Sequence, residues 1–344
     1  QPWLEPVAWY RELSDGRFDP PPALLEHMPR TISAAAIGAQ SGAVLDGLRT
    51  IENDADGPAR AILGRARARL RESAREIASL HGDAGDLAAS CERFATEMDF
   101  AFLYDAERDL FRIGCDVDAG RLDANCYDLL ASEARLASLV AISRRQVPTR
   151  HWVHLGRPFR RWRGERVLMS WSATLFEYLM PNLFMRVPAH TLLERGCRSA
   201  VHLHRRFARR YRIPWGIAES GYNRINEHGH YQYRAFGVPG LGLRRDLGDR
   251  LVVAPYASAL ALSIATEAAL RNLVELERLG SFGRYGFYEA LDFGRADRAG
   301  PRRGHVVRSF MSHHQGMIMT ALNNALTEDA AVRRRLLNAA SEIA

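Results

Sequence analysis

Residues 214–239, PWGIAESGYNRINEHGHYQYRAFGVP, hold one carboxylate, Glu219, between a tight turn at Gly216 and a run of aromatic and amide side chains. Tyr222, Asn223, Tyr231, Gln232, Tyr233 and Phe236 follow within a short span. Aromatic faces stack on sugar rings, amides satisfy sugar hydroxyls, and a carboxyl group gives up or takes a proton. A site that hydrolyses or transfers a glycan needs that inventory. A Gly/Pro-rich surface loop anchored by its aromatics is the other reading, but loops seldom gather so many hydrogen-bonding groups around one acid.

Other acids stand in company that suits the same chemistry. Glu133 lies in DANCYDLLASEARL (123–136). Asp123 or Asn125 reads as the cap of a helix that leaves Glu133 about two to three turns in. Its small neighbours Ala131, Ser132 and Ala134 leave room for something bulky, although a solvated Glu balanced by Arg135 fits the pattern too. Glu177 sits in the apolar stretch WSATLFEYLMP (171–181), so it is either buried with a partner or facing a cleft. Glu289 and Asp292 stand among the aromatics of YGFYEALDF (285–293).

In SFMSHHQGM (309–317), His313 and His314 open an apolar helix. Adjacent helical positions project about 100° apart, so one metal ion is hard to share, and a sugar hydroxyl or carboxylate is the better partner. His202 and His204 fall on a helical stretch and His228 and His230 in a loop, so neither pair predicts a metal site. There is no GxSxG elbow, no P-loop and no strand-borne GxGxxG, and GVPGLG (237–242) suits a turn. No metal and no cofactor is expected.

The elements that must position these groups read as mostly helical. Apolar residues recur at helical spacing over 31–53, 58–81, 86–103, 124–145, 171–180, 189–211, 255–264, 266–279 and 308–326. Connections are long and irregular around 146–168, 214–253 and 281–305, with small strands suggested at Leu110–Ile113 and Leu251–Val253. Residues 1–99 lack any concentration of catalytic residue types, whereas the loops from 104 onward are rich in Asp, Glu, Tyr, Trp and His. A helical barrel with loops gathered at one end reconciles scaffold and site in one domain. Residues 1–99 are then a helical lead-in packed on it, and 100–344 its catalytic part.

Composition bounds the rest. The chain of 344 residues is 47% hydrophobic and 25% charged, with no apolar run that predicts a membrane span. All 47 basic residues are Arg, spread along the chain and mixed with acids, so the net charge of +7 predicts no nucleic-acid partner. Cys91, Cys115, Cys126 and Cys197 have no CxxC spacing and read as free thiols of a reducing compartment. The start at Gln1-Pro2-Trp3 reads as a piece cut from something longer.

Six stretches carry a family resemblance: FAFLYDAERDLFRIGCDVDAGRLDANCYDLLASEARLAS, LMSWSATLFEYLMPNLFMR, IPWGIAESGYN, YQYRAFGVPGLGLRRDLGDRLVVAPYASALAL, GRYGFYEALDF and VVRSFMSHHQGM. In family order over most of residues 100–326, they resemble the glycoamylase-like middle domain of bacterial cyclic β-1,2-glucan synthases. The resemblance implies an all-α (α/α)6 toroid whose concave end binds β-1,2-glucan. It implies a large inner-membrane parent in which a glycosyltransferase module makes linear glucan, this domain closes the ring with anomeric retention, and a phosphorylase-like module adjusts length. The domain would then work at the cytoplasmic face.

Glu133 and Glu219 become the catalytic pair by this resemblance. Glu133 attacks the anomeric carbon, and Glu219 protonates the leaving oxygen and deprotonates the incoming hydroxyl, in a pocket walled by Trp215 and Tyr222. Substrate contacts are expected from Asp123, Trp171, Glu177 and Trp215, from Tyr222, Asn223, Tyr231, Gln232 and Phe236, and from Tyr288, Glu289, His313, His314 and Gln315. Departures from the family pattern are Ala173 and Gly221, at positions usually Gly and Ala, and Asp246 and Arg250 in a loop. A β-1,2-glucan hydrolase and a non-catalytic glucan-binding module are the alternatives; a helical interaction domain leaves the clustered aromatics unexplained.

Overall fold

The structure, a computed structural model, describes Leu13 and residues 34–162, 164–295 and 304–327. Residues 1–3 and the first three positions of the helix expected over 31–53 lie outside the described residues. The chain divides into two compact units, Gln1–Met98 and Asp99–Ala344.

In the first unit, helix α1 (Ala34–Asp54) pairs with α2 (Gly57–Glu97), which opens with Pro58 in its first turn, where the missing N–H is no loss. Val44 and Leu48 meet Leu63, Ala66, Leu70 and Ile77 in a small core. Arg60 closes the end of α1 by donating to the carbonyls of Glu52 and Asn53 at 3.2 and 3.1 Å. The two helices expected over 58–81 and 86–103 are one helix ending at Glu97. Gly82 and Gly85 weaken it by about 1 kcal/mol each without breaking it, because alanines and leucines continue the pattern across them.

In the second unit the helices are α3 (Arg135–Ser143), α4 (Arg150–His154), α5 (Leu175–Leu179), α6 (Leu192–Tyr211), α7 (Pro255–Leu260), α8 (Leu262–Arg278) and α9 (Ser312–Leu326). The expected all-α class holds in part: the fold is helix-rich, and six small sheets stand beside the helices among the described residues. Two sheets have three strands: Tyr104–Asp105 with Leu110–Arg112 and Cys126–Tyr127, and Arg250–Val253 with Ala290–Arg295 and His305–Val307. Phe159–Trp162 with Glu165–Leu168 and Ser220–Ile225 with Tyr231–Arg234 are hairpins inside segments expected to be irregular. Strands this short fall below the window in which alternation can be read.

The core surrounds α7, whose residues Pro255–Leu260 are all buried. Leu168, Leu175, Tyr178, Leu179 and Leu203 belong to the same cluster. Ala257, Ser258 and Ala259 are small and let neighbouring backbone come close. Gly216 uses that closeness: at φ +117° a Cβ would stand 3.3 Å from both Ala254 O and Ser258 Oγ. Ala254 N also donates to Gly216 O at 3.0 Å, which sets the approach to Glu219. Gly216→Ala is expected to lower stability by about 1–3 kcal/mol, because an L side chain is strained at this φ. The check is the urea midpoint; an unchanged midpoint would show that this approach is not tight.

Ala173 occupies φ +57°, the left-handed region, where glycine is the residue that sits without strain. Its fully buried methyl group is what the alanine gains in exchange. Among the described residues no helix is long and apolar enough to cross a membrane.

Candidate active site

Glu219 immediately precedes the strand Ser220–Ile225, which pairs antiparallel with Tyr231–Arg234 in the register Gly221↔Tyr233 and Tyr222↔Gln232. Alternation puts Glu219 and Gly221 toward one face, so Tyr233, opposite Gly221, reaches over Glu219. The Tyr233 hydroxyl donates to Glu219 Oε1 at 3.0 Å. The main chain of Glu219 is held as well, since Tyr256 of α7 donates its hydroxyl to the Glu219 carbonyl at 2.9 Å. Burial, then the charge of Glu219, pushes the Tyr233 phenol far above its ordinary range, so it remains a donor.

Glu133 is not two to three turns into a helix. Cys126–Tyr127 is drawn into a sheet by Leu110–Arg112, Leu130 N donates to Gly156 O at 2.9 Å, and helix α3 begins only at Arg135. Glu133 sits in the turn ahead of it, half-buried, with its carbonyl accepting from Leu136 N at 3.1 Å. Burial, then the charges of Glu219 and Glu177, raises its carboxyl to about 7. A carboxyl group in that state carries a proton near neutrality.

Arg135 does not balance a solvated Glu133, the alternative that the sequence left open. It is 1% exposed, and its guanidinium donates to the carbonyls of Ser132, Glu177 and Tyr178 and to Asn182 Oδ1, at 2.9, 2.8, 2.6 and 3.2 Å. It ties the Glu133 turn to α5.

Glu177 forms a capping box with Thr174 at the start of α5. Its carboxylate accepts from Ser170 Oγ at 2.8 Å, Ser172 N at 3.0 Å and Thr174 N at 3.2 Å, so its oxygens serve its own loop. Burial pushes this carboxyl up against those hydrogen bonds. The loop it braces presents Trp171, 57% exposed, as a free aromatic face.

The other expected residues separate by burial. Asp123, Asn223 and His313 are exposed, and burial followed by the neighbouring His314 lowers the His313 imidazole. Trp215, Tyr222 and Phe236 are buried. The main chain of Trp215 exchanges hydrogen bonds with the Asn272 side chain, and its ring lines a cleft of about 240 Å³ with Arg205, Arg209 and Arg271. Tyr222 donates to Gln232 Oε1 at 2.8 Å and meets Phe236 edge-on at 5.4 Å. Tyr231 is half-buried on the same hairpin.

Tyr288 packs on Phe310 with centroids 5.0 Å apart, and Gln315 Nε2 donates to Phe287 O at 2.9 Å. Glu289 and His314 are both buried and hydrogen-bonded to each other at 2.9 Å. Asp292, also buried, is clasped by Arg250 at 2.6 Å, which makes it a support of the sheet.

Three tyrosines complete the surroundings of the glutamates. Tyr233 and Tyr256 bond Glu219, and the Tyr127 phenol is raised by burial and then by Glu133, Asp123 and Glu219. Tyr233 alone had a readable signal: an YQYR strand answering SGYN across a turn places it opposite Gly221. The arrangement can therefore do acid–base and nucleophilic work with two carboxyl groups in one electrostatic environment, one of them holding a proton near pH 7.

Residues 125–334 match the protein family described as Glycoamylase: Putative glucoamylase. Over 232 residues, or 67% of this chain, the sequence is 44% identical to the cyclic beta-(1,2)-glucan synthase NdvB of Rhizobium meliloti (strain 1021). That stretch spans 8% of the synthase's length. Among solved structures, the endo-beta-1,2-glucanase from Chitinophaga pinensis, in its sophorotriose and glucose complex, aligns with a TM-score of 0.48 at 14% identity, covering 89% of this chain and 70% of that one.

Proposed function

Because this chain belongs to the glycoamylase family, we propose that its unit from Asp99 onward is a carbohydrate-active enzyme that breaks and re-forms the bonds of a β-1,2-glucan. The finer reading is an anomer-retaining transglycosylase that cyclises the linear glucan on an (α/α)6 scaffold. The likeness to a cyclic glucan synthase supports the substrate class. The observation that carries the chemistry is the Glu133 carboxyl, raised to about 7 beside Glu219.

That observation favours exchanging the roles that the family resemblance suggested. Glu133 is the acid/base and Glu219 the nucleophile. Glu219 Oε2 attacks the anomeric carbon, the glycosidic bond breaks, and the departing oxygen takes the Glu133 proton. In the second half-reaction the incoming hydroxyl gives its proton to the Glu133 carboxylate and displaces Glu219, so two inversions restore the β configuration. When the incoming hydroxyl is the 2-OH at the chain's own non-reducing end, a ring forms; when it is water, the chain shortens. Binding of both chain ends raises the effective concentration of the sugar hydroxyl above that of competing water.

Trp171, exposed on its braced loop, and Asp123 and Asn223 are the groups best placed to meet sugar rings and hydroxyls. In this reading the unit serves a larger synthase at the cytoplasmic face of the inner membrane, taking linear glucan from a glycosyltransferase module beside a phosphorylase-like one. The deciding experiment is mass spectrometry of products from linear β-1,2-glucan, with Glu133→Gln and Glu219→Gln as controls. Products one water lighter than the linear chains, and absent from both controls, are expected. Shorter linear chains alone would make the unit a hydrolase, and glucan retained without turnover would make it a binding module.

A further inference from the structure

Arginines run along the whole chain, but acids do not keep pace with them everywhere. Residues 157–212 hold 13 Arg and three Glu, with no Asp and no Lys. That excess of ten positive charges is larger than the +7 of the entire chain, so the remainder is slightly acidic. Of the three glutamates, Glu177 serves its own loop and Glu194 is paired with Arg198.

The fold gathers these arginines onto one outer face. At about 100° per residue, Arg195, Arg198, Arg205, Arg206, Arg209 and Arg210 fall within about 140° of the circumference of α6. The opposite side of that helix, with Cys197, Ala200, Val201, Leu203 and Ala208, is buried. The hairpin of Phe159–Trp162 and Glu165–Leu168 lies along the helix, where Ser199 Oγ donates to Arg166 O at 3.4 Å. At the other end of the hairpin, Trp162 lines a hollow of about 150 Å³ with Phe207, Tyr211, Arg206 and Arg210. Toward α8 the face ends at Glu275, which shares a cleft with Arg205 and Arg209.

Like charges stand side by side on this face. Arg161 is directly opposite Arg166 across the hairpin, both exposed, and Arg206 and Arg210 are one helical turn apart. Each such pair costs stability unless an anion lies over it. The aromatic rings among them are already covered: the Arg160 guanidinium stands 5.5 Å from the centre of the Trp162 ring, and that of Arg210 stands 5.7 Å from Tyr211. A ring face occupied by a guanidinium is not free to stack on a sugar or a base. The guanidinium edge, by contrast, still presents N–H groups to a phosphate.

We propose that this face docks on an anionic phospholipid surface, with the arginines of the hairpin and of α6 on the headgroup phosphates. Charge complementarity carries the choice of partner. A lipid surface spreads its charge over an area, as these arginines do on two elements lying side by side. A nucleic-acid strand is instead followed by a line of cations with open rings between them. Phe159, 51% exposed at the start of the hairpin, adds an aromatic ring of the kind that sits at the lipid–water boundary. The apolar side of α6 is spent in the core, so the helix lies on the lipid without entering it.

The test is co-sedimentation of the chain with vesicles of phosphatidylcholine alone or with about 30% phosphatidylglycerol, at about 0.15 M salt. Wild type should bind the acidic vesicles and not the neutral ones, and should release them as salt rises. Arg161→Gln, Arg166→Gln and Arg210→Gln combined should weaken that binding about 100-fold, about fivefold for each arginine. The melting temperature of this variant should match or exceed wild type, because the repulsion between Arg161 and Arg166 is gone. Arg71→Gln, Arg75→Gln and Arg93→Gln combined remove equal charge from α2, where all three are exposed. That control should bind within about twofold of wild type, because charge outside the face lies beyond the reach of the lipid field.

Equal losses in the two triple variants would overturn the face and leave net charge alone as the cause. A folded face variant that binds like wild type would overturn the assignment of these arginines. Wild type that does not distinguish the two kinds of vesicle would overturn the lipid partner. So would mixed-sequence RNA that displaces acidic vesicles at equal phosphate concentration. Glucan turnover plays no part in this readout, so the roles of the glutamates stand or fall separately.

Discussion

Glu219→Ala is expected to lose turnover of native glucan by a factor on the order of 10⁴ or more, because it removes the atom that attacks. Glu133→Ala should lose about 10²- to 10⁴-fold, the range of a general acid. The two separate cleanly with an aryl β-glycoside of a short β-1,2-glucan, whose leaving group departs without a proton. On that substrate Glu133→Ala should recover its first half-reaction and accumulate the covalent intermediate, whereas Glu219→Ala stays inactive. Added azide should then intercept the Glu133→Ala intermediate as a β-glycosyl azide, and rescue Glu219→Ala, if at all, as the α-anomer. Azide products of the opposite anomeric pattern would return the roles to the order that family resemblance first suggested.

The pH dependence follows from the same group. With Glu133 raised to about 7, kcat/KM should fall on the alkaline side of about pH 7, and that limb should vanish for the aryl substrate. The sign for stability is opposite to that of an ordinary salt-bridged carboxylate. The folded pKa lies above the unfolded value of 4.5, so this group's contribution is fully present below about 4.5 and is lost as pH rises through about 7. Glu133→Gln should therefore gain stability over wild type above neutral pH. The gain is about 1–2 kcal/mol once partial exposure is discounted. Equal melting temperatures for the two proteins at pH 8.5 would show that Glu133 is not desolvated.

Glu219 stood out as a candidate because Tyr233, which bonds its carboxylate, lies on the same hairpin within a short stretch of chain, whereas Tyr256 reaches it from α7 and had no such signal. Glu133 was one candidate among several by its small neighbours, and only the resemblance paired it with Glu219. Its elevated carboxyl depends on burial and then on Glu219 and Glu177, which are far along the chain, and on a helix that starts nine residues later than an Asn125 cap would suggest. Periodicity announced α6 and α8 and showed α2 as two pieces, whereas strands of a few residues could not be read. Glu289 was expected among the sugar contacts, and His314 was read as the partner of a sugar hydroxyl or a carboxylate; the carboxylate it meets is Glu289. Their burial and mutual bond show groups turned inward.

Arg135→Met should destabilise the second unit by about 3–5 kcal/mol, a fall of roughly 5–12 °C in melting temperature. The carbonyls of Glu177 and Tyr178 close the short helix α5, where backbone acceptors have no partner within the helix, and the guanidinium supplies both donors and a positive charge at that end. Burial pushes the Arg135 pKa down, the mark of a cation held at some cost, so removing it also relieves desolvation. The loss should still dominate, because methionine fills the space yet leaves three carbonyls and the Asn182 side chain without the guanidinium donor. Arg135→Lys should recover little, since one ammonium group cannot reproduce a fork that reaches Ser132, Glu177, Tyr178 and Asn182 together. Activity measured well below the melting point should fall as well, because the Ser132 contact holds the turn that aims Glu133. A variant with a wild-type melting temperature would mean that water can replace the guanidinium. One that is destabilised but fully active would mean that the Glu133 turn is held by the Leu130–Gly156 contact instead.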